Sequence, residues 1–137
     1  MTVKIVFGIY LLILGVVDIR TRRIPAFCLL VGLALSLFII MFGNYFPWIQ
    51  VLPGLLIGGI FLVLSKISKE KIGYGDSAII MILGIACGYK QQLFTLFVAF
   101  FMAALCSMIL IVAKKINRKG SLPFIPFLGV AYFICIK

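Results

Sequence analysis

Six apolar blocks carry this chain: about Val3–Val17, Ile24–Phe42, Phe46–Leu64, Ser77–Tyr89, Leu93–Ala113 and Leu122–Ile136. A helix that crosses a bilayer needs about 20 apolar residues, within a range of ~17–25. The second, third and fifth blocks meet that length. The first, fourth and sixth fall short, and the first and fourth are the two that adjoin aspartates, Asp18 and Asp76. If these short blocks cross fully, they borrow residues from their flanks. Asp18 and Gly73–Asp76 then lie about a turn below the membrane surface, where charge is tolerated only beside protein or a water-filled cavity. The pattern predicts an all-α, polytopic membrane protein with about six transmembrane helices.

Composition agrees. Of 137 residues, 65% are hydrophobic and 12% charged, against about 25% charged in soluble domains. So short a soluble chain has no way to bury that much apolar surface. One membrane-embedded domain over 1–137 is expected.

The charge is lopsided: 13 Lys and Arg, 3 acids, no histidine and a net +10. In a soluble protein that would suggest nucleic acid. Here it reads as loop asymmetry across a bilayer, and no nucleic-acid partner is expected. Arg20, Arg22 and Arg23 follow the first block, Lys66, Lys69 and Lys71 the third, and Lys114, Lys115, Arg118 and Lys119 the fifth. Only Lys4, Lys90 and Lys137 lie elsewhere. The positive-inside rule therefore puts the three basic junctions in the cytoplasm, both termini outside and both aspartates on the cytoplasmic side of the cell membrane.

Cys28, Cys87, Cys106 and Cys135 all fall in apolar blocks without a C-x-x-C pair, which suits buried, inert thiols better than zinc. The first block has Lys4 at its start but no small-x-small cleavage motif, so it reads as a span and not a removable signal. Leu-Pro-Gly-Leu-Leu-Ile-Gly-Gly at 52–59 offers small residues for close helix packing. Tyr45, Phe46, Trp48 and Tyr89 read as interfacial aromatics on the outer side.

Each polar motif has a structural explanation when taken alone. Asp18-Ile-Arg-Thr-Arg-Arg-Ile-Pro25 suits a helix-end ion pair of Asp18 with Arg22, followed by a proline that opens a new helix. Gly73-Tyr74-Gly75-Asp76 suits a turn whose aspartate caps the next helix. Its two glycines, free of Cβ atoms, would let another backbone come close. Pro123-Phe124-Ile125-Pro126-Phe127 suits a proline-rich helix start. Glu70, the third acid, lies among Lys66, Lys69 and Lys71 as a solvated partner for them. Taken together, Asp18 and Asp76 share one side of the membrane on different helices, each beside a helix-breaking residue.

That combination resembles the prepilin peptidases, membrane aspartyl proteases of the G-x-G-D type. The family's first motif, an aspartate followed by a basic segment containing Ile-Pro, is matched at Asp18 to Pro25. The second is matched at Gly73 to Asp76, and a late Pro-Phe-x-Pro-Phe element is similar at Pro123 to Phe127. Order, spacing and layout agree over essentially the whole length. Ala26, Ala78 and Ile125 stand where members often have asparagine, lysine and glycine, and both aspartates are intact. Larger members carry a cysteine-rich insert and an N-methyltransferase activity, to which nothing in these 137 residues corresponds.

The resemblance implies an intramembrane aspartic endopeptidase with Asp18 and Asp76 as catalytic residues. Gly73, Gly75, Pro25, Pro123 and Pro126 would support the motifs or receive substrate, the glycines and prolines offering space and unpaired carbonyls. The implied partner is a prepilin or pilin-like precursor with a basic leader and an apolar helix beyond it, met within the lipid bilayer. No cofactor or metal is implied. One carboxyl would activate water while the other donates a proton, the two sharing one proton because close carboxylates cannot both ionise cheaply. The helix ends suggest Asp76 for the first role and Asp18 for the second. Two other readings compete. A non-catalytic pilus-assembly or scaffold subunit would keep the fold without cleavage, and an ion-coupled transporter would place its acids deeper within the spans.

Overall fold

The computed structural model describes residues 2–21, 23–43, 48–69, 73–115 and 122–136. Among these, six helices form: α1 (Thr2–Thr21), α2 (Ala26–Phe42), α3 (Trp48–Ile67), α4 (Tyr74–Cys87), α5 (Tyr89–Val112) and α6 (Ile125–Cys135). Three of the described helices, α1, α3 and α5, are long and apolar enough to cross a membrane; α2, α4 and α6 are shorter apolar helices. This is the all-helical membrane architecture that the apolar blocks predict.

The first block is longer than its apolar residues suggest. α1 continues through Asp18 to Thr21, whose hydroxyl donates to the Val17 carbonyl at 2.8 Å and closes the last turn. α4 and α5 are also closer than the sequence suggests, with Gly88 alone between them at φ 78°. Only glycine takes that backbone readily. The Gly88 N–H donates to the Gly84 carbonyl, and its own carbonyl accepts from Gln92, so both helix ends are tied through one residue.

α4 is the centre of the bundle. Nine of its 14 residues are buried, which explains a helix apolar on every side. It packs on α2, α3 and α5, while α6 lies against α1 and α5. The glycine stripe of α3 makes the tightest contact: a Cβ at Gly54 would meet the Gly84 carbonyl oxygen at 2.8 Å, and one at Gly58 the Met81 Cα at 2.5 Å. Small residues four apart let two backbones meet, as close packing within lipid requires. Gln92 fastens the seam, its amide donating to the Ile80 carbonyl at 2.8 Å and the Gly54 carbonyl at 3.2 Å.

α1 and α6 run antiparallel. Gly8 faces Phe133, Gly15 faces Pro126, and the Tyr132 hydroxyl donates to the Lys4 carbonyl at 3.1 Å. Phe7, Leu11, Leu14, Leu128 and Tyr132 form the core between them. Phe27, Leu30, Trp48, Ile49 and Phe97 point outward, as suits lipid-facing positions. Of the four cysteines, only Cys87 is buried, beside the Tyr132 hydroxyl; Cys28, at the edge of the core, and Cys106 and Cys135 are half-exposed. Trp48 and Tyr89 are described, whereas Tyr45 and Phe46 lie outside the described residues.

Candidate active site

Asp18 is where the helical spacing of α1 puts it. Phe7, Leu11, Leu14 and Asp18 are four, three and four residues apart, one stripe of a 3.6-residue helix, and all four are buried. The aspartate thus continues a core-facing stripe. Its carboxyl accepts a hydrogen bond from the Ile125 N–H. Ile125 opens α6, where the first N–H groups have no partner within the helix; Asp18 supplies one from another helix.

Gly15 makes that meeting possible. It lies one turn before Asp18 on the same face, and a Cβ there would be 2.8 Å from the Pro126 Cα. The start of α6 therefore rests on the bare backbone of α1. Pro126 occupies the first turn of α6, where its missing N–H costs nothing.

Asp76 comes from a separate helix, α4. Gly73 occupies the cap position of α4 and makes no side-chain cap bond, which puts Asp76 inside the first turn, half-buried. The capping role expected of Asp76 is not what the helix shows. Asp18 near the end of α1 and Asp76 at the start of α4 lie at the same end of the bundle, near enough for the two carboxyls to interact electrostatically. Ser77, fully buried, donates its hydroxyl to the Phe61 carbonyl at 3.1 Å, anchoring this turn to α3.

The glycines act differently from one another. A Cβ on Gly75 would lie 2.5 Å from Ile24 Cδ1 and 3.1 Å from its Cβ. The second glycine thereby admits a side chain of the Ile24-Pro25 motif, not a backbone. A Cβ on Gly73 would meet the Asp76 carboxyl at an ordinary 3.5 Å, so close approach does not require glycine there. The Gly73 carbonyl is also not free, since it accepts from the Ser77 N–H at 3.2 Å and the Ser77 hydroxyl at 3.3 Å. Pro25 caps α2 with an extended ψ of 141°, and Pro123 is half-buried just before α6. Arg22 and Glu70, with the ion pairs expected of them, lie outside the described residues.

The three motifs thus converge: Ile24 against Gly75, Pro126 against Gly15, and Ile125 on Asp18. Gly15 and Ser77 were not singled out by sequence reasoning. The signal for Gly15 was a small residue one turn from a buried acid on the same stripe. For Ser77 there was none, because its acceptor is a carbonyl on another helix.

Fold and site define a class: an all-helical membrane bundle with two carboxyls from separate helices brought together at one end. The sequence profile of the Type IV leader peptidase family matches residues 5–108, and the chain belongs to that family. The match includes both aspartate motifs and stops short of Pro123–Phe127. Two curated relatives bear the name prepilin leader peptidase/N-methyltransferase. One, from Pseudomonas putida, is 29% identical over 132 residues, covering 92% of this chain and 46% of the relative. The other, from Xanthomonas campestris pv. campestris, is 27% identical over 136 residues, covering 95% and 47%. This chain spans about half the length of those relatives. No solved structure matches it.

Proposed function

We propose that this chain is an intramembrane aspartic endopeptidase that removes the basic leader from prepilin or pilin-like precursors. The observation that carries the reading is the convergence of Asp18 and Asp76, from α1 and α4, in a chain of the Type IV leader peptidase family. The peptidase activity is the part assigned to this chain.

One carboxyl takes a proton from water as it attacks the scissile carbonyl, and the other donates to the carbonyl oxygen or the departing amine. Asp76, in the first turn of α4, has unpartnered helix N–H groups around it, which suit the water-activating carboxylate. Asp18, in the last turn of α1, takes the proton-holding role, with the Ile125 N–H fixing its orientation. A helical substrate hides its carbonyls in i→i−4 bonds, so its cleavage segment unwinds before it reaches the pair. Gly75, Pro25, Pro123 and Pro126 support the motifs that frame this space.

Arg20, Arg23, Lys66, Lys69, Lys114 and Lys115 cluster at the aspartate end of the sequence layout. By the positive-inside rule that end faces the cytoplasm. The protein is then a single multi-pass domain of the cell membrane, with both termini on the opposite face and the site where a cytoplasmic leader arrives. Coexpression with a precursor bearing a basic leader and an apolar helix tests the reading. The wild type shortens the precursor on a gel by the length of the leader. A precursor that stays intact at matched expression would refute it.

A further inference from the structure

Between α3 and α5 the side of the bundle opens as a groove of about 670 Å³. Ile57 and Phe61 line one wall, and Leu93 and Phe97 the other. Along α5 it runs from Lys90 to Phe100, roughly 15 Å at about 1.5 Å per residue. Lys90 is its one charged lining residue, at the end far from the aspartates, since α5 starts where α4 finishes.

The other end is built into the candidate site from both sides. Phe61 and Phe100 stack with centroids 6.0 Å apart, and Phe100 stacks on Phe124 at 4.8 Å. Phe124 immediately precedes Ile125, whose N–H holds Asp18. On the α3 side, the Phe61 carbonyl accepts the hydroxyl of Ser77, the neighbour of Asp76. The rings that close the groove are therefore tied to both aspartates. Lipid tails can cover any outward face of the bundle, but this groove ends at the site.

Resting on the peptidase reading above, we infer that the α3–α5 groove seats the apolar helix that follows the cleavage point of the substrate. The N-terminal end of that helix lies against Phe61, Phe100 and Phe124, and the unwound segment before it reaches Asp18 and Asp76. Within lipid, helices associate by packing contact, and aromatic faces supply large contact areas. Direction follows from the lining. The groove is apolar from Phe61 and Phe100 away from the aspartates toward Lys90, so the apolar helix lies along α5 while the basic leader stays on the far side of the aspartates.

The test uses the full chain in lipid vesicles with two probes. One is a precursor with a basic leader and an apolar helix of about 20 residues; the other is a peptide with the same leader and cleavage point that ends before the helix. Phe97→Ala and Leu93→Ala are compared with Ile13→Ala on the outward face of α1. Each groove variant should raise KM for the precursor about tenfold, with kcat and short-peptide cleavage unchanged, and Ile13→Ala should change neither. A photoreactive residue at position 97 should capture the precursor. Unchanged KM in both groove variants, an equal rise for both probes, or capture of lipid or a second copy alone would overturn the groove while leaving the peptidase standing. If the wild type cleaves neither probe, the peptidase reading falls and the groove with it.

Discussion

Gly15→Ala is the substitution that separates the geometry of the site from the stability of the bundle. The added Cβ would sit 2.8 Å from the Pro126 Cα, whereas ordinary contact begins at 3.4 Å, and backbone cannot swing aside as a side-chain tip does. The start of α6 must therefore retreat by roughly half an ångström to restore ordinary contact, the kind of backbone shift that overpacking forces. Two stability effects oppose each other. Alanine in place of glycine favours a helix by about 1 kcal/mol, while overpacking costs about 1–3 kcal/mol. The net loss is then about 0–2 kcal/mol, too little to unfold a bundle. Activity should fall as well. Ile125 moves with Pro126, and a hydrogen bond to an uncharged, proton-holding carboxyl contributes about 0.5–1.5 kcal/mol, so kcat should drop between about twofold and tenfold. The assay is cleavage of a membrane-inserted precursor, run beside thermal unfolding of the same preparation. Gly59→Ala is the control, because a Cβ there meets nothing within 4 Å. Wild-type kcat in Gly15→Ala would refute the chain of contact from Gly15 through Pro126 to Asp18.

Asp18→Asn and Asp76→Asn should each nearly abolish leader removal at unchanged expression and membrane insertion, whereas Glu70→Gln should keep most activity; wild-type processing by either asparagine variant on a gel would end the two-carboxyl mechanism. On the α3–α4 seam, Gly58→Ala should destabilise by up to about 2 kcal/mol, overpacking of about 1–3 kcal/mol less about 1 kcal/mol of helix propensity, because Met81 Cα at 2.5 Å blocks the new methyl; thermal unfolding raised above wild type would mean α3 and α4 stand further apart. Cysteines placed near Lys69 or Lys115 should react only with reagent on the cytoplasmic side, and those near Gly43 or Lys90 only from outside; the reverse labelling would put the site on the wrong face for a cytoplasmic leader.

Much of this protein is written in its hydrophobic pattern. Six apolar blocks become six helices because, in lipid, a backbone must satisfy its own hydrogen bonds, so block length and apolarity alone fix the element. The stripe Phe7, Leu11, Leu14, Asp18 could likewise be read inward by counting residues. The α3 glycine stretch was legible as a packing surface, and α4 does meet it at Gly54 and Gly58, though Gly59 turns to open space. The three motifs proposed to carry the chemistry were also visible, since an acid beside a membrane is costly and rarely without purpose.

What the sequence did not contain is who meets whom. The partner of Gly15 is 111 residues away at Pro126, and that of Gly75 is Ile24, on a segment with no periodic link to it. The Ile125 N–H on Asp18 exists only because α6 packs antiparallel to α1, and the Ser77 hydroxyl finds its acceptor only because α3 lies beside α4. Local spacing sets which face a residue takes on its own helix; the neighbour on that face is chosen by packing all six helices at once, and a membrane gives little help because lipid is as apolar as the helix surfaces it covers. The aspartates were determined by the sequence, and their placement at one end of the bundle by the tertiary structure.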